Sequence, residues 1–509
     1  MSRSLLTALT LLTGCYGTLH AGNEPRPKNV LMLIVDDLNT WLLTDPNRYT
    51  GKVVAPNIQR LAKQGVLFHN AYAASPVCVP SRTAFLSGVA PWKSGVYINQ
   101  VSVMTSPAIQ RVPSLFKTLR ERGYSLSQIG KVSHGYKLGV DVDFRLGHKR
   151  TPPPPGAPLN GIAKAKSGKV TERDWGATHL DEDEMSDKRL ADAAIEQIRR
   201  KHDKPFFIAC GLFHPHYPWY VPQKYLDLYP LDEIELPPIQ KKDLDDTSPA
   251  ARGIVNVGWD DKIQEHGLAK KAIQGYLASV SFSDVHMGRI LQALDESPHR
   301  DDTIVLLLSD HGFHLGEKQN WTKATPWEEA TDSVLMFRVP GVTKPEQVCT
   351  QSVSLLDIYP TLMDLTGTTK PSHLDGKSLV PQLRDVNAPR PGPAIMGYAG
   401  HLAVRTKDFR FIRYLDGSTE LYDRRVDPNE WKNETANPKY TKIRAELNAL
   451  LPPANDVVPP LPRRVKEKKT PRKKRGKKGR KDQRTRPPEG QEKKLKRRSA
   501  TKSPHGPKS

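Results

Sequence analysis

The stretch Cys78-Val-Pro-Ser-Arg82 holds residue types suited to a reaction. Pro80 fits the first turn of a helix, where its missing N–H loses no partner, and Gly88 is a helix stop. Cys78 therefore falls at a helix N-terminus, where backbone N–H groups and the dipole favour an anion. A thiol so placed is a reactive-site candidate; a small buried thiol ahead of a helix is the competing reading. Two acids, Asp36 and Asp37, end one apolar run, and Asp310 with His311 ends another. Single acids in such places are often caps or turn formers. Three carboxylates gathered together repel one another unless a cation joins them, and a hard divalent ion, Ca²⁺ or Mg²⁺, suits oxygen ligands. The imidazole of His311 is less expected in a Ca²⁺ site. Lys131 and His134 follow a strand; taken alone they read more readily as a surface lysine and a packed histidine than as site residues. His214 and His216 flank Pro215 and project from a loop, and Lys323 lies on the loop after His311.

These residues need a scaffold that brings distant strand ends together. Asn29–Val35, Tyr124–Ile129, Pro205–Gly211 and Thr303–Ser309 are short, mostly apolar runs, as expected of strands in a parallel sheet covered on both faces. Val66–Tyr72 is a further strand. Asn57–Gly65, Pro113–Gly123, Ser186–Arg200, Ile273–Leu294 and Gln351–Asp364 carry helical spacing. Ligands in such sheets bind beyond the carboxyl ends of the strands, where the acids and histidines fall. The fold class is thus α/β, a large, mostly parallel sheet between helices over residues 28–380. A small antiparallel sheet over 381–450 follows, with strands at Ala394–Tyr398, His401–Arg405, Phe409–Tyr414 and Glu420–Asp423. Thr151–Val170, with four consecutive prolines, and Pro230–Ile263 read as loops, the second facing substrate.

Cys78-x-Pro-Ser-Arg82 with Leu86-x-Gly88 resembles the type I sulfatase signature. Asp36-Asp37, Gly130-Lys131-x-x-His134, His216-x-Pro218, Asp310-His-Gly312 and the distal Lys323 follow the order of the iduronate-2-sulfatase branch, and the resemblance spans residues 28 to 435. It implies an alkaline-phosphatase-like sandwich and a sulfuric ester hydrolase. A formylglycine-generating enzyme would oxidise Cys78 to formylglycine, whose hydrate is the nucleophile. The metal, Ca²⁺ or else Mg²⁺, would be held by Asp36, Asp37, residue 78, Asp310 and His311, although many sulfatases carry Asn where His311 stands. Arg82, Lys131 and Lys323 would neutralise sulfate oxygens. His216, assisted by Lys323, would protonate the leaving alcohol, with His214 the weaker candidate, and His134 would take the proton that releases sulfate. The implied substrate is a sulfated oligo- or polysaccharide, with a uronate 2-O-sulfate in a glycosaminoglycan suiting the branch. Other sulfated polysaccharides fit the sequence equally. Phe313 and His314 are expected at the pocket rim. Two other readings stand beside this one: a phosphate or phosphonate ester hydrolase on the same scaffold, and an inactive surface lipoprotein that binds polyanions.

The formal charge of +22 misleads. Residues 461–509 hold 22 Lys/Arg against 4 Asp/Glu, leaving only +4 on the 460 residues before them. No nucleic-acid partner is expected. The basic run either holds a polyanionic polymer or is a solvated charge run, and residues 451–509 read as a disordered tail. Arg3 and the apolar Leu5–Leu12 form an export signal over residues 1–21, with cleavage after Ala21 or lipidation of Cys15 in the lipobox-like Leu12-Thr-Gly-Cys15. The protein is therefore expected to be exported, periplasmic or on the outer surface, with a lipid anchor as one option. The four cysteines imply no disulfide framework.

Overall fold

The structure, a computed structural model, describes residues 29–163 and 173–464, apart from 44 and 46. The signal segment, Cys15 and the basic run beyond 464 lie outside the described residues. In chain order the core elements are β1 (Asn29–Val35), α1 (Pro56–Lys63), β2 (Val66–Phe68), α2 (Cys78–Ser87), α3 (Leu115–Glu121), β3 (Ser125–Gly130), β4 (Phe144–Leu146), α4 (Ser186–Arg199), β5 (Phe206–Leu212), α5 (Ala269–Asp295), β6 (Thr303–Ser309), β7 (Leu335–Arg338), β8 (Gln347–Cys349) and α6 (Ile358–Thr366). The strands form one eight-stranded sheet in the order β8-β2-β7-β6-β1-β5-β3-β4. β1 runs parallel to β5 and β6, and Val35 pairs with Leu212 on one side and Ser309 on the other. β7 runs antiparallel to both its neighbours.

The register follows from burial on two faces. Leu31, Leu33 and Val35 pack with α4 and α5 residues such as Leu190, Ile198 and Tyr276. Val30, Met32 and Ile34 pack on the opposite face with Phe85, Leu115 and Leu362 of α2, α3 and α6. β6 alternates in the same way, with Val305 and Leu307 on the first face and Leu306 and Leu308 on the second. Each buried side chain of this kind contributes about 1.5–3 kcal/mol, and a one-residue slip would exchange the two sets. The carboxyl ends of β1, β3, β5 and β6 therefore meet at one edge.

A second, four-stranded antiparallel sheet follows: β9 (Ala394–Tyr398), β10 (His401–Arg405), β11 (Phe409–Arg413) and β12 (Thr419–Asp423), backed by α7 (Thr441–Leu450). Buried charges join it to the main body. Glu328 accepts Arg405 at 3.0 Å, Arg424 at 3.2 Å and Arg48 at 3.3 Å, and it also pairs with Arg410. Glu430 holds Arg410 at 2.6 Å. Among the described residues, no helix is long and apolar enough to cross a membrane.

Several expected elements differ. The strand at Val66–Tyr72 is broken into Val66–Phe68 and Ala71–Tyr72. The helix expected over Gln351–Asp364 begins only at Ile358, because Val353–Ser354 pairs with Ala71–Tyr72 as strand and Ser354 caps the turn that follows. Pro230–Ile263 is not all loop: Pro249–Arg252 and Val257–Glu265 are helical. The disorder expected from residue 451 onward is overturned as far as 464. Val457 and Leu461 pack against the apolar clusters, and Val458, Leu461 and Arg464 donate backbone N–H bonds to the carbonyls of Trp92, Gly95 and Gln100. A low apolar content signals disorder only where no neighbouring backbone offers acceptors.

Candidate active site

α2 begins at Cys78 itself, with Val77 extended before it, and ends at Gly88 in the left-handed region (φ 74°). The thiol is fully buried. Its Sγ lies 3.0 Å from Lys323 Nζ, 3.3 Å from His311 Nε2, 3.7 Å from Lys131 Nζ and 4.0 Å from Asp37 Oδ1. Burial alone would push this thiol up; Lys131 and Lys323 outweigh it and bring it down to about 7. The chain positions of these groups span 287 residues, from Asp37 to Lys323. The shared sheet edge is what collects them.

Asp36 leaves β1 and pairs with Lys131 and, at 2.9 Å, with Arg82 Nη2. Burial opposes its charge, yet Lys131, His216 and Arg82 hold it well below the usual carboxylate range. Asp37, at φ 63°, donates its backbone N–H to Asp310 Oδ1 at 3.2 Å and pairs with Lys323. Burial lifts its carboxyl to about 7 against the pull of Lys323, and its Oδ2 is buried with no hydrogen-bond partner.

Arg82 departs from the expected role of neutralising sulfate. Its donors go to Asp310 Oδ2 and Asp36 Oδ1 at 2.9 Å each and to the carbonyls of Lys131 and Val132. With four hydrogen bonds made and no exposed surface, the guanidinium is a brace between two carboxylates. The sequence placed it one turn from Cys78 but could not show which way it turns.

His311 donates Nδ1–H to the Gly312 carbonyl at 2.9 Å, which leaves Nε2 facing Cys78, Asp310 Oδ2 at 3.4 Å and Asp37 Oδ1 at 3.5 Å. An imidazole fixed through Nδ1 on a carbonyl, with Nε2 among acids, is arranged as metal-ligating histidines are. Nε2 of His311, the Cys78 Sγ and oxygens of Asp36 and Asp37 all lie within 4.8 Å of one another. Asp310 stands beside them, clasped by Arg82. The unpartnered Asp37 Oδ2, the orientation of His311 and the convergence of carboxylate oxygens on one point fit a divalent cation.

His216 stacks at a tilt on Phe213, with 4.8 Å between ring centres, and its Nε2 is 4.0 Å from Asp37 Oδ2. Its Nδ1–H goes to the Tyr217 carbonyl at 2.6 Å. Burial, then Lys131 and Lys323, hold the ring well below its usual range, so Nε2 carries a lone pair. His134, at φ 36°, has a buried, unpartnered Nδ1, and burial with Lys131 lowers it to about 3. His214 turns to Asp187 instead, Nδ1 to Oδ2 at 2.8 Å. Asp187 also accepts the backbone N–H groups of Phe213 and His214 at 2.9 Å each. An acid in the first turn of α4 reads in sequence as an ordinary dipole partner, and no spacing links it to residue 213.

The rim expectation for Phe313 and His314 fails. Phe313 is buried, stacked on Tyr276 and edge-on to Tyr217 and Trp219. His314 is buried and bonds Thr325 Oγ1 at 2.7 Å. The loop after His311 folds into an aromatic core, a long-range contact with no local signal.

Residues 28–368 match the sulfatase family model, and residues 316–455 match the N-sulphoglucosamine sulphohydrolase C-terminal model. A sulfatase of Formosa agariphila is 36% identical over 444 residues, 84% of this chain and 87% of that protein. Iduronate 2-sulfatase of Homo sapiens is 29% identical over 474 residues, 82% of each. Among solved structures, one in complex with its substrate D-glucosamine-2-N,6-O-disulfate aligns with a TM-score of 0.66 at 23% identity, covering 84% of this chain and 97% of that one. The phosphonate monoester hydrolase of Silicibacter pomeroyi aligns at 0.68 and 19% identity over 83% of this chain and 94% of its own. These two share the fold; their chemistry does not transfer at such identity.

Proposed function

The chain belongs to the sulfatase family and is a sulfuric ester hydrolase, and from that premise we propose that it removes sulfate from a sulfated carbohydrate, a uronate 2-O-sulfate of a glycosaminoglycan being the favoured substrate. The observation that carries this reading is the surroundings of Cys78: two ammonium groups and an acid–imidazole cluster gathered around one buried sulfur.

Residue 78, matured to formylglycine and hydrated, supplies a geminal diol as nucleophile. A divalent cation on Asp36, Asp37, Asp310 and His311 would lower the pKa of an oxygen at this position. Arg82 keeps Asp36 and Asp310 apart and oriented. Lys131 and Lys323, both next to Sγ, are placed to bind the sulfate oxygens, a preorganised electrostatic role. Burial opposes the charge of Lys323, but Asp37 and Cys78 raise its pKa, so it stays an ammonium and holds a proton for the sugar oxygen as its bond to sulfur breaks. His216, expected from the resemblance to be the acid, has its Nδ1–H fixed on a carbonyl and keeps a lone pair on Nε2, so it accepts a hydrogen bond from the hydroxyl of the freed alcohol once Lys323 has protonated it. His134 keeps a free ring nitrogen to accept the proton of the second hydroxyl when sulfate leaves.

Mass spectrometry of the peptide around Cys78 is expected to show the aldehyde, and a 2-O-sulfated uronate disaccharide is expected to release inorganic sulfate. Cys78→Ser and Cys78→Ala should abolish turnover; activity retained in either defeats the reading. Aryl sulfate should be cleaved far faster than aryl phosphate, which separates this reading from phosphate or phosphonate ester hydrolysis.

A further inference from the structure

Asp37 holds a backbone conformation that needs support. It is the second residue past β1, and its φ of 63° lies in the left-handed region. Aspartate tolerates that region better than most residues but does not prefer it, because Cβ crowds the carbonyl oxygen. Three bonds fan out from this strained residue or end on it. Its N–H reaches Asp310 Oδ1 at 3.2 Å, its carboxylate pairs with Lys323, and its carbonyl accepts the phenol of Tyr276 at 2.9 Å.

Tyr276 belongs to α5 and lies 239 residues further along the chain. Its Oη also accepts the Asn39 N–H at 2.7 Å. One hydroxyl thus bridges both ends of the turn Asp37-Leu38-Asn39. Asp37 and Asn39 are buried, so these backbone groups depend on Tyr276 for their bonds. The ring is fully buried too. It stacks on Phe313 at 5.8 Å and lies edge-on to Trp219 at 5.4 Å and Trp41 at 6.3 Å. Phe313 is two residues beyond His311, and Trp219 is three beyond His216. A single side chain therefore touches the segments that deliver Asp37, His311 and His216. Gly275 makes room for it. A Cβ there would stand 2.7 Å from Trp175 Cβ and 3.5 Å from the Trp219 ring, so glycine is what lets α5 come this close.

We propose that Tyr276 is a positioning residue of the active site, fixing the Asp37 turn so that its carboxylate stays in place for the divalent cation. It touches no reacting atom. The inference deepens the reading above and rests on Asp37 being a metal ligand.

The test is calorimetric titration of matured, chelator-stripped enzyme with CaCl₂. Tyr276→Phe keeps the ring and its packing and removes only Oη. It should weaken Ca²⁺ binding about 10-fold, as loss of a group that orients a metal ligand does. Its kcat for aryl sulfate should fall about 10-fold with KM within threefold. Tyr229→Phe is the matched control. Its Oη accepts the Val54 N–H at 2.8 Å and lies 2.7 Å from Ser281 Oγ on the same helix, and neither partner is a site residue. That variant should lose a comparable part of its resistance to urea yet keep Ca²⁺ affinity and kcat within twofold of wild type. Equal losses of affinity in the two variants, or wild-type affinity and kcat in Tyr276→Phe, overturn the proposal. Gly275→Ala pushes α5 away from Trp175 and should weaken Ca²⁺ binding about threefold. Should Tyr276→Phe not fold, this variant decides, and unchanged affinity in it rejects the role. Asp37→Asn keeps the ligand reading separate. If it binds Ca²⁺ as wild type does, Asp37 is no ligand, and the kcat contrast between the two Phe variants alone upholds or rejects the positioning role.

Discussion

Replacing Asp187 with Asn tests whether the loop that carries His216 is held from α4. Asp187 is fully buried and accepts three N–H groups, from Phe213, His214 and the His214 ring, at 2.8–2.9 Å. Burial opposes its charge, but the bonds from His214 and Phe213 lower its pKa. Asn keeps one acceptor oxygen and turns an NH₂ toward a donor. A hydrogen bond to a charged group is worth about 1.5–3 kcal/mol. Losing one such bond and crowding another should cost about 2–4 kcal/mol of stability, read by urea unfolding. His216 sits two residues beyond His214, so the loop's shift reaches the reacting atoms. A displacement near 1 Å costs up to about 100-fold in rate. The expected result with aryl sulfate is a fall in kcat of about 10- to 100-fold with KM within threefold, since Lys131 and Lys323 stay in place. His214→Phe should lower both quantities less, and the double variant should be less impaired than the sum of the singles, a coupling of about 1–2 kcal/mol. Wild-type kcat in Asp187→Asn, or strict additivity, would refute the argument that Asp187 acts through this loop.

Glu328→Gln removes the carboxylate shared by Arg48, Arg405, Arg410 and Arg424. Arg405 then loses its carboxylate, while Arg48 keeps Glu329 and Asp332, and Arg410 and Arg424 keep Glu430. Leaving that one buried guanidinium uncompensated should cost about 3–5 kcal/mol, seen as a lower urea midpoint; a change under about 1 kcal/mol would show the cluster is redundant. His286, fully buried with both ring nitrogens unpartnered and facing Asp187, Glu182, Arg289 and Asp192, is lowered to about 4, with burial the main cause. Between pH ~6.5 and 4 the unfolded chain binds the extra proton, so this group's stabilising contribution is complete above pH ~6.5. It is lost on acidification at up to about 1.4 kcal/mol per pH unit. His286→Leu should flatten the fall in melting temperature from pH 7 to 5, and an unchanged slope would count against it. Elemental analysis of purified protein should find about one Ca²⁺ or Mg²⁺ per chain, reduced in Asp37→Asn; equal metal in both would remove Asp37 from the ligand set.

The order of motifs along the chain, the strand ends on which they fall and the α/β class were legible because each has a local cause. An apolar run predicts a buried strand, a Pro–Gly pair brackets a helix, and paired acids mark a strand end whatever else the chain does. Cys78, Asp36, Asp37, Asp310 and His311 were named on that basis, Lys131, His216 and Lys323 only through the family resemblance, and the sheet edge brings them together. What lay beyond reach were contacts between residues far apart in sequence. Arg82 turning to Asp310, Asp187 gripping residue 213, Phe313 and His314 folding inward and Tyr276 reaching the Asp37 carbonyl all depend on which surfaces meet once the sheet has closed. Sequence periodicity says which face of an element is buried; only the packed structure says what it is buried against, because that choice is made by the sum of many weak, non-local contacts.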